Sequence, residues 1–120
     1  MKGLLAEALR VPGVVAVAVL NGDGDLLGAD QLEPPGFADA GSLLAAALAA
    51  SGVLAESLGG ELGQAVLEYR NGPLLLACAA HAPGTATRER RVLVLRLRSL
   101  TDLGRARFEL PRLLTRAAAT

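Results

Sequence analysis

Very few side chains in this sequence could carry out catalysis or hold a metal ion. The 120 residues contain one histidine, His81, one cysteine, Cys78, and one lysine, Lys2. Metal centres need several ligands of the His, Cys or carboxylate type, and an activated nucleophile needs a base beside it. A phosphate-binding loop needs glycines followed by a lysine, and Lys2 lies in no such motif. The sequence therefore predicts no catalytic residue, no metal site and no bound cofactor.

One acidic loop has some of the features of a calcium site. The segment Asn21–Asp25 places oxygen-bearing side chains at its first, third and fifth positions, as calcium loops do. The sixth position, where such loops need glycine, is Leu26, and the twelfth, where they need glutamate, is Leu32. The same segment is typical of a tight turn that requires positive φ. We therefore interpret it as a β-hairpin turn.

Charge is distributed unevenly along a chain whose net charge is zero. Residues 1–68 carry nine acidic and two basic side chains, whereas residues 69–120 carry ten arginines and three acidic side chains. Basic segments can bind phosphate groups, but only one tyrosine and two phenylalanines are available to stack on bases. We expect no nucleic-acid partner, and we interpret the basic set as a solvated loop or as a surface for an acidic protein. That set is Arg88, Arg90, Arg91, Arg96 and Arg98.

Length and composition indicate one domain over residues 1–120. A chain of this size buries roughly two-thirds of its unfolded surface, so it needs neither a disulfide nor a metal for stability. Cys78 lies within the apolar run LLLACAA, which predicts a small buried thiol and a reducing compartment. We find no secretory leader, and the apolar runs are shorter than the roughly 20 residues of a membrane span. These features predict a cytoplasmic protein without a membrane span.

Periodicity and turn residues predict eight elements in the order α-β-β-α-β-β-β-α. Because hairpins join most of the strands, the fold class is α+β, with a five-stranded antiparallel sheet flanked by helices on both faces. Helices are predicted at Met1–Arg10, Ser42–Leu58 and Leu100–Arg116, the last kinked or broken by Pro111. Strands are predicted at Val14–Leu20, Asp25–Ala29, Gln64–Arg70, Pro73–Ala80 and Arg91–Arg98.

The predicted strands differ in how much of their surface is buried. Val14–Leu20 is a continuous apolar run, which predicts a strand with both faces covered. Gln64–Arg70 alternates apolar and polar residues, which predicts a half-exposed edge strand. Asn71-Gly72 predicts the turn of the next hairpin, and His81–Arg90 is predicted to be a mobile polar loop.

The predicted central helix has more apolar surface than one neighbouring layer can cover. Its residues fall on two adjacent stripes at helical spacing. The first, suited to packing on the sheet, comprises Leu44, Leu48, Ser51 and Leu58. The second, whose small side chains allow another backbone to come close, comprises Leu43, Ala46, Ala50 and Val53. We interpret the second stripe as a site of self-association; the alternative is a helix enclosed within a single core.

Several local sequences point to one family. They are Val11-Pro12-Gly13-Val14 before the first strand, the turn at Asn21–Asp25, the alanine-rich central helix, the strands around Asn71-Gly72, and Leu103-Gly104-Arg105 in the last helix. Together with the element order, they resemble the roadblock / dynein light chain domain, in particular its small bacterial MglB-like members. The resemblance spans nearly the whole chain.

The resemblance implies a profilin-like sandwich that forms a homodimer, with the central helices antiparallel and the third strands paired edge to edge. The interface residues are then Leu43, Ala46, Ala50, Val53, Val66 and Glu68. It also implies that the dimer binds a Ras-like small GTPase without supplying an arginine finger, as a regulator or scaffold and not as an enzyme. We expect the partner at the third face of the central helix, bordering the groove between the two helices. That face comprises Ala45, Ala49, Gly52 and Glu56.

Two other functions remain open at this point. A small-molecule-binding sensory module would need an enclosed pocket between sheet and helix, a space that this sequence fills with leucine and valine. A self-assembly protein would need the second stripe but no GTPase partner.

Overall fold

The computed structural model describes all 120 residues and has the predicted order of elements. The helices are α1 (Lys2–Leu9), α2 (Gly41–Ser57) and α3 (Leu103–Ala118). The strands are β1 (Val14–Asn21), β2 (Leu26–Gln31), β3 (Gln64–Tyr69), β4 (Gly72–Cys78) and β5 (Arg91–Leu97). Short 3-10 turns at Thr87–Glu89 and Leu100–Asp102 precede β5 and α3. None of the helices combines the length and the apolar character that a membrane span requires.

The five strands form one antiparallel sheet in the order β2-β1-β5-β4-β3. β1 is rich in valine, which favours extended backbone, and all eight of its residues are buried. This confirms the prediction of a strand covered on both faces. β3 pairs only with β4, which confirms the predicted edge strand. The predicted fold class is correct. The helices and strands differ from the prediction only at some of their ends.

Helices cover the two faces of the sheet unequally. On one face, α1 and α3 enclose a core in which Leu4, Leu110 and Leu113 pack against Val17 and Leu95. On the other face a smaller core contains Phe37 and Leu44, the latter from α2. The first face is thereby closed by two helices, whereas the second is covered by α2 and the segment before it.

The turn between β1 and β2 is held by the side chain of Asn21. Its Oδ1 atom accepts hydrogen bonds from the backbone N–H groups of Asp23 and Asp25, at 3.0 and 2.9 Å. Gly24 has a φ of +89°, which a side chain would disfavour. The segment is therefore a hairpin turn, as predicted.

Of the two effects predicted for Pro111, a break does not occur, because α3 is continuous from Leu103 to Ala118. A proline inside a helix removes one N–H and prevents the bond to the carbonyl four residues earlier, here that of Arg107. Both residues lie on the exposed side of α3, where water can solvate that carbonyl. The helix continues because its other side is buried against the sheet.

The turn between β3 and β4 also differs from the prediction. Gly72 pairs with Tyr69 as the first residue of β4, so the loop consists of Arg70 and Asn71. Gly72 has a φ of +117°, and a Cβ atom there would collide with the carbonyl oxygen of Leu97. Glycine is needed at this position for close backbone approach as well as for its conformation.

We expect Gly72→Ala to lower the free energy of unfolding by about 2 kcal/mol or more, because positive φ and the collision combine. Gly104→Ala is the matched control, since nothing lies within 4 Å of a Cβ atom at that helical position. It should leave stability unchanged or raise it by up to about 1 kcal/mol. Urea unfolding of both variants measures the difference, and equal stabilities would contradict the assignment.

Candidate protein-interaction site

α2 touches the sheet through a narrow part of its surface. Leu44 is 5% exposed and packs with Phe37 against the small residues of β1. Leu48, one turn further along, is only partly buried in the same cluster. Leu58 is 80% exposed, so its predicted place on the sheet-facing stripe is wrong. The helix ends at Ser57, and the helical period no longer applies to the residue after it.

The second stripe of α2 faces away from the sheet. Leu43 is 72% exposed and Val53 is 64% exposed, and the two alanines between them on the stripe are exposed as well. Monomeric proteins rarely leave such a row of apolar side chains in water. The structure therefore brings together the four stripe residues that the sequence nominated on α2: Leu43, Ala46, Ala50 and Val53.

Sequence reasoning missed one member of this surface. Leu54 is 61% exposed and follows Ala46 and Ala50 at four-residue intervals, so it lies on the same side of the helix. The same spacing could have identified it from the sequence. We use the name outer stripe for the complete set: Leu43, Ala46, Ala50, Val53 and Leu54.

The edge strand β3 offers unpaired backbone groups. The hairpin with β4 closes on the pair Tyr69 and Gly72, and pairs alternate between bonded and non-bonded along an antiparallel ladder. Val66 and Glu68 consequently direct their N–H and C=O groups away from β4. The side chain of Val66 packs on the α1 and α3 side of the sheet, while Glu68 is exposed. These two predicted interface residues can thus contribute backbone hydrogen bonds to another strand.

The third face of α2 lines an open groove of about 450 Å³, which we call the α2 groove. Its walls are α2, the β1–β2 turn, residues 60–62 and the segment from His81 to Val92. Ala45 is half-buried there, and Gly24 of the turn leaves no room for a side chain beside it. This groove is formed within one chain, and it is distinct from the groove between the two central helices of a dimer that the resemblance implies. All four predicted partner-binding residues line it: Ala45, Ala49, Gly52 and Glu56.

The α2 groove carries charges of both signs. Glu56 and Glu61 lie on the α2 side, and Arg90 and Arg91 lie on the other. The arginines are fixed by backbone carbonyls: Arg90 Nε donates to the Thr85 oxygen at 3.3 Å, and Arg91 Nη1 donates to the Arg88 oxygen at 2.9 Å. The groove therefore contains two arginines held by backbone carbonyls together with three acidic side chains, those of Asp23, Glu56 and Glu61.

The two residues with the greatest chemical reactivity also line the α2 groove. His81 is exposed, and its Nδ1 lies 3.3 Å from the carbonyl oxygen of Ala82. Cys78 is half-buried, and desolvation raises the pKa of its thiol. No three His, Cys, Asp or Glu side chains converge as metal ligands would. What the groove offers is a mixed apolar and charged surface for contact.

Comparisons with known proteins add a family and a set of related folds. Residues 2–82, which include α1 through β4, match the family model of the Roadblock/LC7 domain. The gliding protein MglB of Thermus thermophilus is similar, with a TM-score of 0.75 and 21% identity over 98% of this chain and 85% of that chain. Curated protein sequences give no significant match.

Two further solved structures have the same fold. Myxococcus xanthus MglB has a TM-score of 0.74 and 20% identity over 99% of this chain and 94% of that chain. A Roadblock/LC7 domain from Streptomyces avermitilis has a TM-score of 0.71 and 19% identity over 97% and 92%. These likenesses include β5 and α3, which lie beyond the residues that the family model matches.

We expect the thiol of Cys78 to be alkylated slowly by iodoacetamide at about pH 8. Its raised pKa leaves less of the reactive thiolate than an exposed cysteine would have at that pH. The rate should increase as the pH rises towards the raised pKa. Mass spectrometry of the native and the urea-denatured chain measures the difference, and equal rates in the two states would contradict the burial of this thiol.

Proposed function

The chain belongs to the Roadblock/LC7 domain family, and we propose that it is a homodimeric, non-enzymatic regulator or scaffold that binds a Ras-like small GTPase in the bacterial cytoplasm. The observation that carries this proposal is the outer stripe of α2, an apolar surface exposed beside a free sheet edge.

Two surfaces that are exposed to water in a single chain support self-association. The outer stripe presents leucine and valine side chains to water, and their burial against a second copy would be favourable by roughly 25 cal/mol for each Å². The edge of β3 presents free N–H and C=O groups, which a second β3 can satisfy in antiparallel register. In a symmetric dimer, each of the two surfaces would meet its own copy across one two-fold axis.

GTPase binding is supported by the family and by the surface beside the outer stripe. The family resemblance implies a small-GTPase partner for the dimer. The α2 groove lies next to the stripe and combines apolar residues with acidic and basic side chains, as protein-binding surfaces do at their rims. We propose that the third face of α2 contributes to the GTPase contact: Ala45, Ala49, Gly52 and Glu56.

The small-molecule-binding module is a second candidate, favoured by the size of the α2 groove. Its volume of about 450 Å³ lies within the range of roughly 300–1,000 Å³ typical of ligand sites. The groove is open, whereas a sensory pocket in this fold was expected to be enclosed between sheet and helix. A ligand there would contact Cys78 and the two arginines of the groove, independently of any GTPase.

Substitution of the outer stripe should separate dimerisation from folding. Ala46→Arg or Ala50→Glu adds a charge at a residue that is exposed in one chain, so the monomer should remain folded. In the dimer the charge would be buried without a partner, at a cost on the order of 3–5 kcal/mol. We expect the dimer dissociation constant to rise by about two orders of magnitude or more.

Sedimentation equilibrium measures that constant, and circular dichroism checks the fold. Ala118→Arg is the control, because this alanine is also exposed on a helix but lies on α3, on the opposite side of the sheet. It should leave the dimer unchanged. A dimer unaffected by both α2 variants would show that the outer stripe is not the interface.

The partner is tested by mixing the chain with small GTPases encoded in the same genome, each loaded with GDP or with a GTP analogue. We expect a complex with at least one of them in size-exclusion chromatography, and phosphate release shows whether hydrolysis is altered. Ala49→Arg, which adds a charge on the exposed third face, should weaken the complex. The absence of a complex with every candidate would leave self-assembly or small-molecule binding as the function.

A further inference from the structure

Arg96 occupies an unusual position for a charged side chain. It lies in β5, a central strand, where its direct neighbours are Ala16 of β1 and Leu74 of β4. Side chains alternate along a strand, so Arg96 shares the α2 side of the sheet with Val92 and Val94, both of which are buried. Arg96 therefore lies on the side of the sheet that holds the smaller core, one residue before the end of β5.

The guanidinium of Arg96 is incompletely satisfied within the chain. Its Nη1 atom has almost no accessible surface and no hydrogen-bond partner, and no carboxylate pairs with it. Arg98 lies on the same side two residues later and forms an ion pair with Glu33. The Nη2 atom of Arg98 lies 3.1 Å from Oε2 of Glu33. Arg96 as a whole is partly buried, and a cation partly removed from water is stabilised by an anionic partner. Arg96 thus lacks a partner that its neighbour has.

The surface next to Arg96 is apolar and only partly covered. Leu67 of β3 and Leu74 of β4 are partly buried at the rim of the smaller core. Tyr69, on the same side of β3, is 54% exposed. This strip leads from Arg96 to the free edge of the sheet. A binding partner would therefore have to bring apolar side chains together with an anionic group.

The chain itself contains such a segment, at the C-terminal end of α2. From Gly41 to Tyr69 the sequence has three glutamates and no lysine or arginine. Glu56 and Glu61 are exposed and form no ion pair. Leu54 and Leu58, beside them, are 61% and 80% exposed. An unpaired acidic and apolar end of α2 and an unpaired basic and apolar strip thus lie on the same side of one molecule.

We propose that the partly exposed Arg96 binds a carboxylate at or just after the C-terminal end of α2 from a second copy of the chain, that of Glu56 or Glu61. The exposed Leu58 at that helix end covers the strip formed by Leu67, Leu74 and Tyr69. The inference rests on the homodimer of the proposed function and adds the polar contact that orients it. Since the guanidinium gains a partner only in the correct arrangement, the ion pair specifies how the two copies align.

Arg96→Met tests the proposal, because methionine keeps the length and removes the charge. We expect the dimer dissociation constant to rise at least about tenfold, while the thermal stability of the monomer at high dilution stays the same or increases. A merely structural arginine would show the opposite pattern, with a less stable monomer. Arg107→Met is the control, since Arg107 is exposed on α3 and also lacks an ion pair.

Charge reversal identifies the acid. Arg96→Glu should abolish the dimer, and adding Glu56→Arg or Glu61→Arg should restore it for the residue that makes the contact. Glu56→Gln and Glu61→Gln alter only exposed side chains, so they test the ion pair even where Arg96→Met fails to fold. One of them should weaken the dimer about tenfold.

The experiments distinguish failure of the Arg96 ion pair from failure of the homodimer. A wild-type chain that stays monomeric at every concentration overturns the homodimer and the ion pair together. A wild-type dimer that Arg96→Met, Glu56→Gln and Glu61→Gln leave within about twofold of its affinity overturns the ion pair alone. Sedimentation equilibrium at low and high salt measures all of these variants.

Discussion

The sheet buries only a small part of the surface of α2, and the proposed interactions of the chain follow from this. One fully buried leucine, Leu44, fixes the helix to the smaller core, while the opposite side presents leucine and valine to water. A helix with two apolar sides needs two neighbours, and the chain supplies one. The free edge of β3 lies in the same sheet, so both unmet requirements can be satisfied by one partner. This constraint is the reason why we place the proposed self-association surface on α2 and β3.

The other side of the sheet shows the contrast. There α1 and α3 enclose the larger core, and Glu7 of α1 forms ion pairs with Arg112 and Arg116 of α3. Exposed pairs of this kind contribute little to stability, but they give an acidic partner to two of the ten arginines in the second half of the chain. Arg96, on the α2 side, has no such partner. Three of the four arginines of α3 thus have an acidic partner, whereas Arg107 on α3 and Arg96 on the α2 side have none.

Patterns with strong periodicity were predictable from the sequence, and close contacts between distant segments were not. The valines of β1, the alternation in β3 and the two stripes of α2 follow from local spacing, and the family match agrees with the resemblance they suggested. The continuity of α3 through Pro111 depends on burial of its inner side, and the role of Gly72 depends on a carbonyl from β5. The α2 groove joins segments far apart in the chain, so only its α2 wall could be nominated from helical spacing.

Hydrogen exchange at the amides of β3, followed by NMR at high and low protein concentration, tests the central claim most directly. In one chain the amides of Val66 and Glu68 point away from β4, whereas that of Leu67 is bonded to it. If two copies pair through β3, Val66 and Glu68 should exchange as slowly as Leu67 at high concentration and faster on dilution. If they exchange at solvent rates at every concentration while Leu67 stays protected, the edge is free and the proposed dimer is contradicted.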